Sequence, residues 1–157
     1  MRFSKAIVTG SEGFIGGHLT DSLLKEGVQV MGIDDMSNGL SATLKNHLQH
    51  DNYISKPIGI NDDRINSIFM KFRPDIVFHL AAKPGVARSV EDPVFTDFVN
   101  INGSINILEA SRASGAKRFV FSSSSSVYGG SRELPTKESV KLNPKSPYAL
   151  QKLVVEE

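Results

Sequence analysis

The feature that most constrains this chain is the run Ala6-Ile-Val-Thr-Gly10-Ser-Glu-Gly13-Phe-Ile-Gly16. It reads as a short buried strand that enters a glycine-rich turn and then passes straight into a helix. The three glycines stand three apart, at Gly10, Gly13 and Gly16. A strand, a tight turn and a helix N-terminus together aim backbone N–H groups and the positive end of a helix dipole at one point, which suits a diphosphate. Gly10 lets the chain leave the strand sharply, Gly13 removes a Cβ where a pyrophosphate would lie, and Gly16 lets the helix approach the strand. The plainer alternative is an ordinary strand-to-helix turn of an α/β protein. The rest of the chain decides between the two.

Bulk properties narrow the classes. A chain of 157 residues suffices for one domain with a real core. A net charge of +1 offers no electrostatic case for nucleic acid or an anionic membrane as partner. Without cysteine there is no disulfide framework and no thiolate metal site, which fits a cytoplasmic protein. No metal is expected. No apolar run approaches the roughly 20 residues of a membrane span, and the early strand argues against a signal peptide. At the other end Lys152-Leu-Val-Val-Glu-Glu157 lies in a helical pattern with no stop signal, so a piece of a longer protein is expected.

After the turn, Ile15, Leu19 and Leu23 mark one face of a helix over about Phe14 to Glu26, stopped by Gly27. Val28 to Ile33 reads as a second buried strand ending in Asp34-Asp35. An acid there, roughly 20 residues beyond the turn, is placed to bind adenosine ribose hydroxyls and to repel a 2′-phosphate, which favours NAD over NADP. The alternative, a strand-end Asp that caps the next turn, weighs equally for Asp35 and less for Asp34.

Leu40, Leu44 and Leu48 suggest a short packed helix, with His47 and His50 on its solvent face. Tyr53 to Ile58 is a third strand. Ile65, Ile68, Phe69 and Phe72 mark a helix starting near Asn61-Asp62 and closed by Pro74. Asp75 to Ala82 is a fourth strand, apolar nearly throughout, as in parallel sheets covered on both faces. His79 within it reads as a satisfied core histidine. Asp92-Pro93 caps a long helix carrying Phe95, Phe98, Ile101, Ile105 and Leu108 to about Ser114; Asn100 and Asn102 read as a solvated face of it. Arg118 to Phe121 is a fifth strand, leading into Ser122 to Ser126.

Alternating strands and helices predict an α/β fold, a Rossmann-type doubly wound parallel sheet. Right-handed crossovers then bring the ends of strands one, four and five to one edge. The last stretch adds chemistry. Ser146 and Pro147 open a helix in which Tyr148 and Lys152, four apart, share a face. A nearby ammonium favours the phenolate, so Lys152 is expected to lower the Tyr148 pKa and make it a base. A serine hydroxyl at the end of the fifth strand completes the proton path.

Taken together these motifs resemble the extended short-chain dehydrogenase/reductase superfamily, and within it the nucleotide-sugar epimerases typified by the UDP-galactose 4-epimerases. The resemblance covers essentially the whole chain. It rests on Thr9 to Gly16, Asp34-Asp35, His79 to Ala82, Asn100 to Gly103, Ser122 to Ser124 with Val127-Tyr128-Gly129, and Tyr148-x-x-x-Lys152. It implies NAD as cofactor. Gly10, Gly13, Phe14, Ile15 and Gly16 would meet the pyrophosphate, and Asp34 and Asp35 the adenosine ribose. Gly59 and Ile60 stand where relatives keep an Asp-Ile pair at the adenine. Leu80, Ala81, Ala82, Asn100 and Ser122 would line the cofactor bed. Ser124, Tyr148 and Lys152 would be catalytic, Lys152 also holding the nicotinamide ribose. Ala82-Lys-Pro-Gly-Val86 looks most like the hexuronate and N-acetylhexosamine epimerases. Ser125-Ser126 stands where dehydratases carry an Asp-Glu pair, which disfavours dehydration.

The implied reaction is 4-epimerisation of a nucleotide sugar, with UDP as the expected nucleotide. The alternatives are a decarboxylase, dehydratase or reductase of the same superfamily, and a non-catalytic NAD-binding protein. The resemblance also implies a homodimer built on the helices carrying Asn100 and Tyr148, and a C-terminal sugar-binding domain that this chain lacks. Residues 1–157 are therefore expected to be an incomplete NAD-binding domain, inactive on its own.

Overall fold

The computed structural model describes residues 3–39, 41–131 and 134–157. In chain order the elements are β1 (Lys5–Thr9), α1 (Phe14–Lys25), β2 (Gln29–Ile33), α2 (Ser41–His47), β3 (Tyr53–Lys56), α3 (Ile65–Phe72), β4 (Ile76–His79), α4 (Val86–Glu91), α5 (Pro93–Asp97), a π-helical turn (Phe98–Asn102), α6 (Gly103–Ala113), β5 (Arg118–Phe121), a short tight turn (Ser125–Tyr128) and α7 (Pro147–Glu156). They form two compact units, one up to Ala81 with Ser104–Ser122, the other Ala82–Gly103 with Ser123–Glu157.

The first unit is a parallel sheet in the order β3-β2-β1-β4-β5, a Rossmann-type arrangement. Ala6, Ile7 and Val8 are fully buried, which suits β1 to the centre of a sheet covered on both faces. Thr9 lies level with Ile33 and His79, and His79 with Phe121, so β1, β4 and β5 end together as the crossovers require. At the opposite end of β1, one Asp75 carboxylate oxygen accepts the N–H groups of Ser4 and Lys5 at 2.9 and 3.0 Å. Those bonds hold the Asp75 pKa below its ordinary value. Helix α1 closes at Gly27, whose φ of +76° lets the Val28 N–H reach back to the Leu23 carbonyl at 3.0 Å. Leu23 and Leu24 pack with Val28, Val30 and Tyr53.

Several boundaries differ from expectation for local reasons. β3 stops at Lys56 because Pro57 cannot donate to the ladder. β4 stops at His79, and the N–H groups of Leu80 and Ala81 turn to the Thr9 hydroxyl at 3.2 and 3.1 Å. α3 begins only at Ile65, because Asp62 spends its carboxylate on the Arg64 N–H and guanidinium. Leu44 packs on the core but Leu48 is 58% exposed, so the expected leucine stripe on α2 does not hold; Leu40 lies outside the described residues.

In the second unit Asp92 accepts the Phe95 N–H at 3.1 Å and Ser146 accepts that of Ala149 at 3.1 Å, each cap followed by proline. α4 is an element the periodicity did not predict. The expected single helix from Phe95 to Ser114 is interrupted by the π-turn around Asn100. Its polar side turns inward: Thr96 and Asn100 are buried, Phe95 and Phe98 are exposed.

Candidate functional site

The first unit carries the glycine turn. Gly10 sits at φ +72°, and a Cβ there would meet the Ala81 nitrogen at 2.9 Å. A Cβ on Gly16 would run into the Gly10 carbonyl. One on Gly13 would come to 3.3 Å from the same oxygen. The turn is thus wound to a pitch that side chains would spoil. Gly13 caps α1 with extended backbone, and the first helical bond runs from Gly17 to Gly13 at 2.8 Å. The N–H groups of the first turn have no partner inside the helix and are available to an anion. Phe14 and Ile15, 79% and 62% exposed, sit on that first turn.

Asp34 follows β2, half-buried, with both carboxylate oxygens engaged by backbone. Oδ2 accepts the Glu12 N–H at 3.0 Å and Oδ1 that of Met36 at 2.8 Å. Burial raises its pKa, and these two bonds act against the rise. Asp35 takes the turn-capping role, accepting from the Ser37 N–H at 3.0 Å and the Ser37 hydroxyl at 2.5 Å. Ile60 is buried and its carbonyl accepts from Asn106 at 2.7 Å, while Gly59 is half-buried beside it. Leu80 and Ala81 are held half-buried by Thr9, and the Ser122 N–H donates to the His79 carbonyl at 3.1 Å. His79 is the core histidine expected: its ring nitrogens lie 2.7 Å from the Thr9 hydroxyl and 2.8 Å from that of Ser104.

One residue beside this turn escaped the sequence reading. Glu12 is 1% exposed, and His47, expected on a solvent face, is fully buried against it. The expectation failed because α2 presents its last residue, rather than its leucines, to the glycine turn. His50 is exposed as expected.

The second unit carries the residues expected to be catalytic. Tyr148 is half-buried, with the Ser124 side chain near enough to draw its pKa down. Its N–H donates to the Ser89 hydroxyl at 3.0 Å, fixing the start of α7. Lys152 does share its helix face, with Nζ 5.9 Å from the phenol ring centre. The expected electrostatics are not found, however. Burial raises the Tyr148 pKa, and the opposing pull comes from Ser124. Lys152 is itself pushed down to about 8 by burial, which weakens the cation that was to lower the phenol. Asn100 is buried too, not solvated. Its Oδ1 accepts the Lys83 N–H at 2.8 Å, and its Nδ2 donates to the Lys83 carbonyl at 3.1 Å and to Gln151 at 2.8 Å. Gln151 passes the chain on to the Thr96 hydroxyl at 3.1 Å. Asn102 is exposed, and Ala82 half-buried.

Residues 7–157 match the model of the GDP-mannose 4,6 dehydratase family. The chain belongs to this family. Together with its relatives, the match places it among the nucleotide-sugar epimerases and dehydratases of the extended short-chain dehydrogenase/reductase type. It is 40% identical to a UDP-glucose 4-epimerase of Mycolicibacterium smegmatis over 97% of this chain and 49% of that one. Among solved structures it is similar to a UDP-N-acetylglucosamine 4-epimerase from Methanobrevibacter ruminantium in complex with UDP-N-acetylmuramic acid. That likeness has a TM-score of 0.91 and 37% identity, over 99% of this chain and 49% of that one. It is also similar to the Thermus thermophilus UDP-glucose 4-epimerase in complex with NAD, with a TM-score of 0.87 and 34% identity over 97% and 48% of the two chains. The chain spans about half the length of the curated relatives it matches. Among the described residues, no group of His, Cys, Asp and Glu can hold a metal ion, and no helix is long and apolar enough to cross a membrane.

Proposed function

We propose that the protein is an NAD-dependent nucleotide-sugar 4-epimerase acting on a UDP-hexose, UDP-N-acetylhexosamine or UDP-hexuronate. The observation that carries this reading is Lys152 one turn along the Tyr148 face of α7, its Nζ 5.9 Å from the phenol ring centre, with the Ser124 side chain near enough to draw the phenol pKa down. The glycine turn fits the cofactor: a Cβ on Gly10 or Gly16 would collide with the backbone of Ala81 or Gly10 and unwind the turn, and the start of α1 offers N–H groups to a pyrophosphate. In this reading Gly10, Gly13, Phe14, Ile15 and Gly16 hold that group. Asp34, with Asp35, takes the adenosine ribose and disfavours a 2′-phosphate. Gly59 and Ile60 take the adenine, the latter through its backbone because its side chain is buried. Leu80, Ala81, Ala82 and Ser122 flank the remainder. Asn100 serves by fixing the Lys83 backbone to which it is tied.

NAD, when bound, supplies a reversible hydride acceptor for sugar C4. Tyr148 removes the C4 hydroxyl proton and returns it once the 4-keto sugar has turned its other face. Ser124 stands by the phenol and favours its ionised form. Burial holds the proton on Tyr148 at rest, so Lys152 must carry its charge when substrate is present, favouring the phenolate and gripping the nicotinamide ribose.

The family model's own description favours a second reading, dehydration. Ser125-Ser126 supplies no carboxylic acid to eliminate water, which supports the first. The exposed Val94, Phe95, Phe98 and Leu150 support a homodimer, checked by light scattering of the purified protein. The deciding experiment incubates the full-length protein with UDP-glucose, UDP-N-acetylglucosamine and UDP-glucuronate and follows products by NMR. A C4 epimer without net NADH supports the proposal. Net NADH, CO₂ or a 4-keto-6-deoxy sugar moves it to the alternatives, and NAD binding without turnover points to a non-catalytic protein.

A further inference from the structure

Beneath the glycine turn the first unit buries a carboxylate that a phosphate site has no use for. Glu12 faces a turn built to favour anions, yet it is enclosed on every side. Its Oε1 accepts from the Tyr53 hydroxyl at 2.5 Å and the Ser11 hydroxyl at 3.1 Å. Its Oε2 lies 3.3 Å from Nδ1 of His47, at ion-pair distance though outside hydrogen-bond geometry. Nε2 of His47 lies 3.2 Å from the Asp21 carboxylate. His47 thus lies between two carboxylates, Glu12 at one ring nitrogen and Asp21 at the other. The line Asp21–His47–Glu12–Tyr53 therefore ties α1, the end of α2, the turn and the start of β3 together.

Space is made for it. A Cβ on Gly32 of β2 would overlap the Tyr53 hydroxyl and come within 2.5 Å of the Ser11 oxygen. A Cβ on Gly39 would meet the Glu12 Cβ at 2.9 Å and the Asp34 carboxylate at 3.3 Å. The Glu12 backbone closes the argument, because its N–H donates to Asp34 at 3.0 Å. The side chain that is locked and the N–H that holds the ribose acid belong to one residue.

We propose that Glu12, His47 and Tyr53 are positioning residues for NAD, clamping the turn so that the Glu12 N–H presents Asp34 to the adenosine ribose. This deepens the NAD reading above and rests on it. The test is NAD affinity of the full-length protein by calorimetry, beside turnover at saturating NAD. Glu12→Ala is expected to weaken NAD about tenfold while turnover at saturation stays within about twofold. Glu12→Gln, which keeps an acceptor for Tyr53, recovers most of the loss. Glu12→Ala combined with Asp34→Ala binds no more weakly than Asp34→Ala alone, since both act through one carboxylate. Tyr53→Phe, which keeps the core ring, weakens NAD about threefold and answers the question should Glu12→Ala not fold. Wild-type affinity in Glu12→Ala or in Tyr53→Phe, or losses that multiply in the double variant, overturns the positioning role alone. A wild-type protein that binds no NAD overturns the cofactor reading and this inference with it.

Discussion

Each unit buries a charged side chain in its site, and the two are treated in opposite ways. Glu12 is surrounded by polar partners: two hydroxyl donors and an imidazole. Lys152 is 4% exposed, and burial is what moves its pKa, down to about 8. A buried charge supplied with partners is pinned, and serves as a fixed point in the structure. A buried charge whose ionisation is discouraged sits near its titration point, and a change in its surroundings can tip it. The glycine turn has the first kind because it must not move. The helix with Tyr148 has the second, as the proton transfer proposed there requires.

The comparison can be broken in four places. The largest effect is expected in the reactive unit: Tyr148→Phe should lower kcat by about a thousandfold with NAD affinity unchanged, since general-base catalysis supplies rate and not binding. Steady-state assay beside calorimetry separates the two. Next, Glu12→Ala should destabilise the fold by about 3 kcal/mol in urea titration, because it strands His47 and Tyr53 in the interior. A loss near zero would show that the cluster is not pinned.

Lys152→Met should do the reverse. Its ordinary pKa of 10.5 falls to about 8 on folding, so charging it in the folded state costs stability. That penalty is absent above pH 10.5, grows as the pH falls towards 8, and is complete below 8. The methionine variant should therefore gain on the order of 1–3 kcal/mol at pH 7, a gain that fades as the pH rises through that window. Melts at pH 7 and pH 10 decide it. The smallest effect is Ser104→Ala, which removes a hydroxyl partner of His79 and should cost about 1 kcal/mol in the same melts at pH 7. It calibrates what one buried hydrogen bond contributes.

Several local signals in the sequence held. Gly10 to Gly16 specified a strand–turn–helix, Asp92-Pro93 and Ser146-Pro147 specified helix starts, and the alternation of strands specified the parallel sheet. Each depends on neighbours within a few residues. What could not be read depends on partners far along the chain. His47 looks solvated on its own helix, and only the return of the chain to the glycine turn, 35 residues back, buries it. Asn100 becomes a buried tie because Gln151, 51 residues on, and the Lys83 backbone converge on it. The Tyr148 pKa went the wrong way because spacing reveals which charge is near and says nothing of how much water is lost. Glu12 had a visible signal, an acid in a glycine-rich turn, that asked for polar partners elsewhere.

The Asp75 clamp on β1 bears on the order in which this sheet is made. Ser4 and Lys5 find their acceptor about 70 residues downstream. A ribosome adding 5–20 residues per second needs roughly 4–14 s to deliver it. For that interval β1, whose Ala6, Ile7, Val8 and Thr9 are fully buried in the finished sheet, has β2 on one flank and an open backbone edge on the other. Pairing at such separation is slow even in a free chain. The interval before β4 docks is the period in which the nascent chain is most exposed to aggregation, and the one in which a chaperone would matter most.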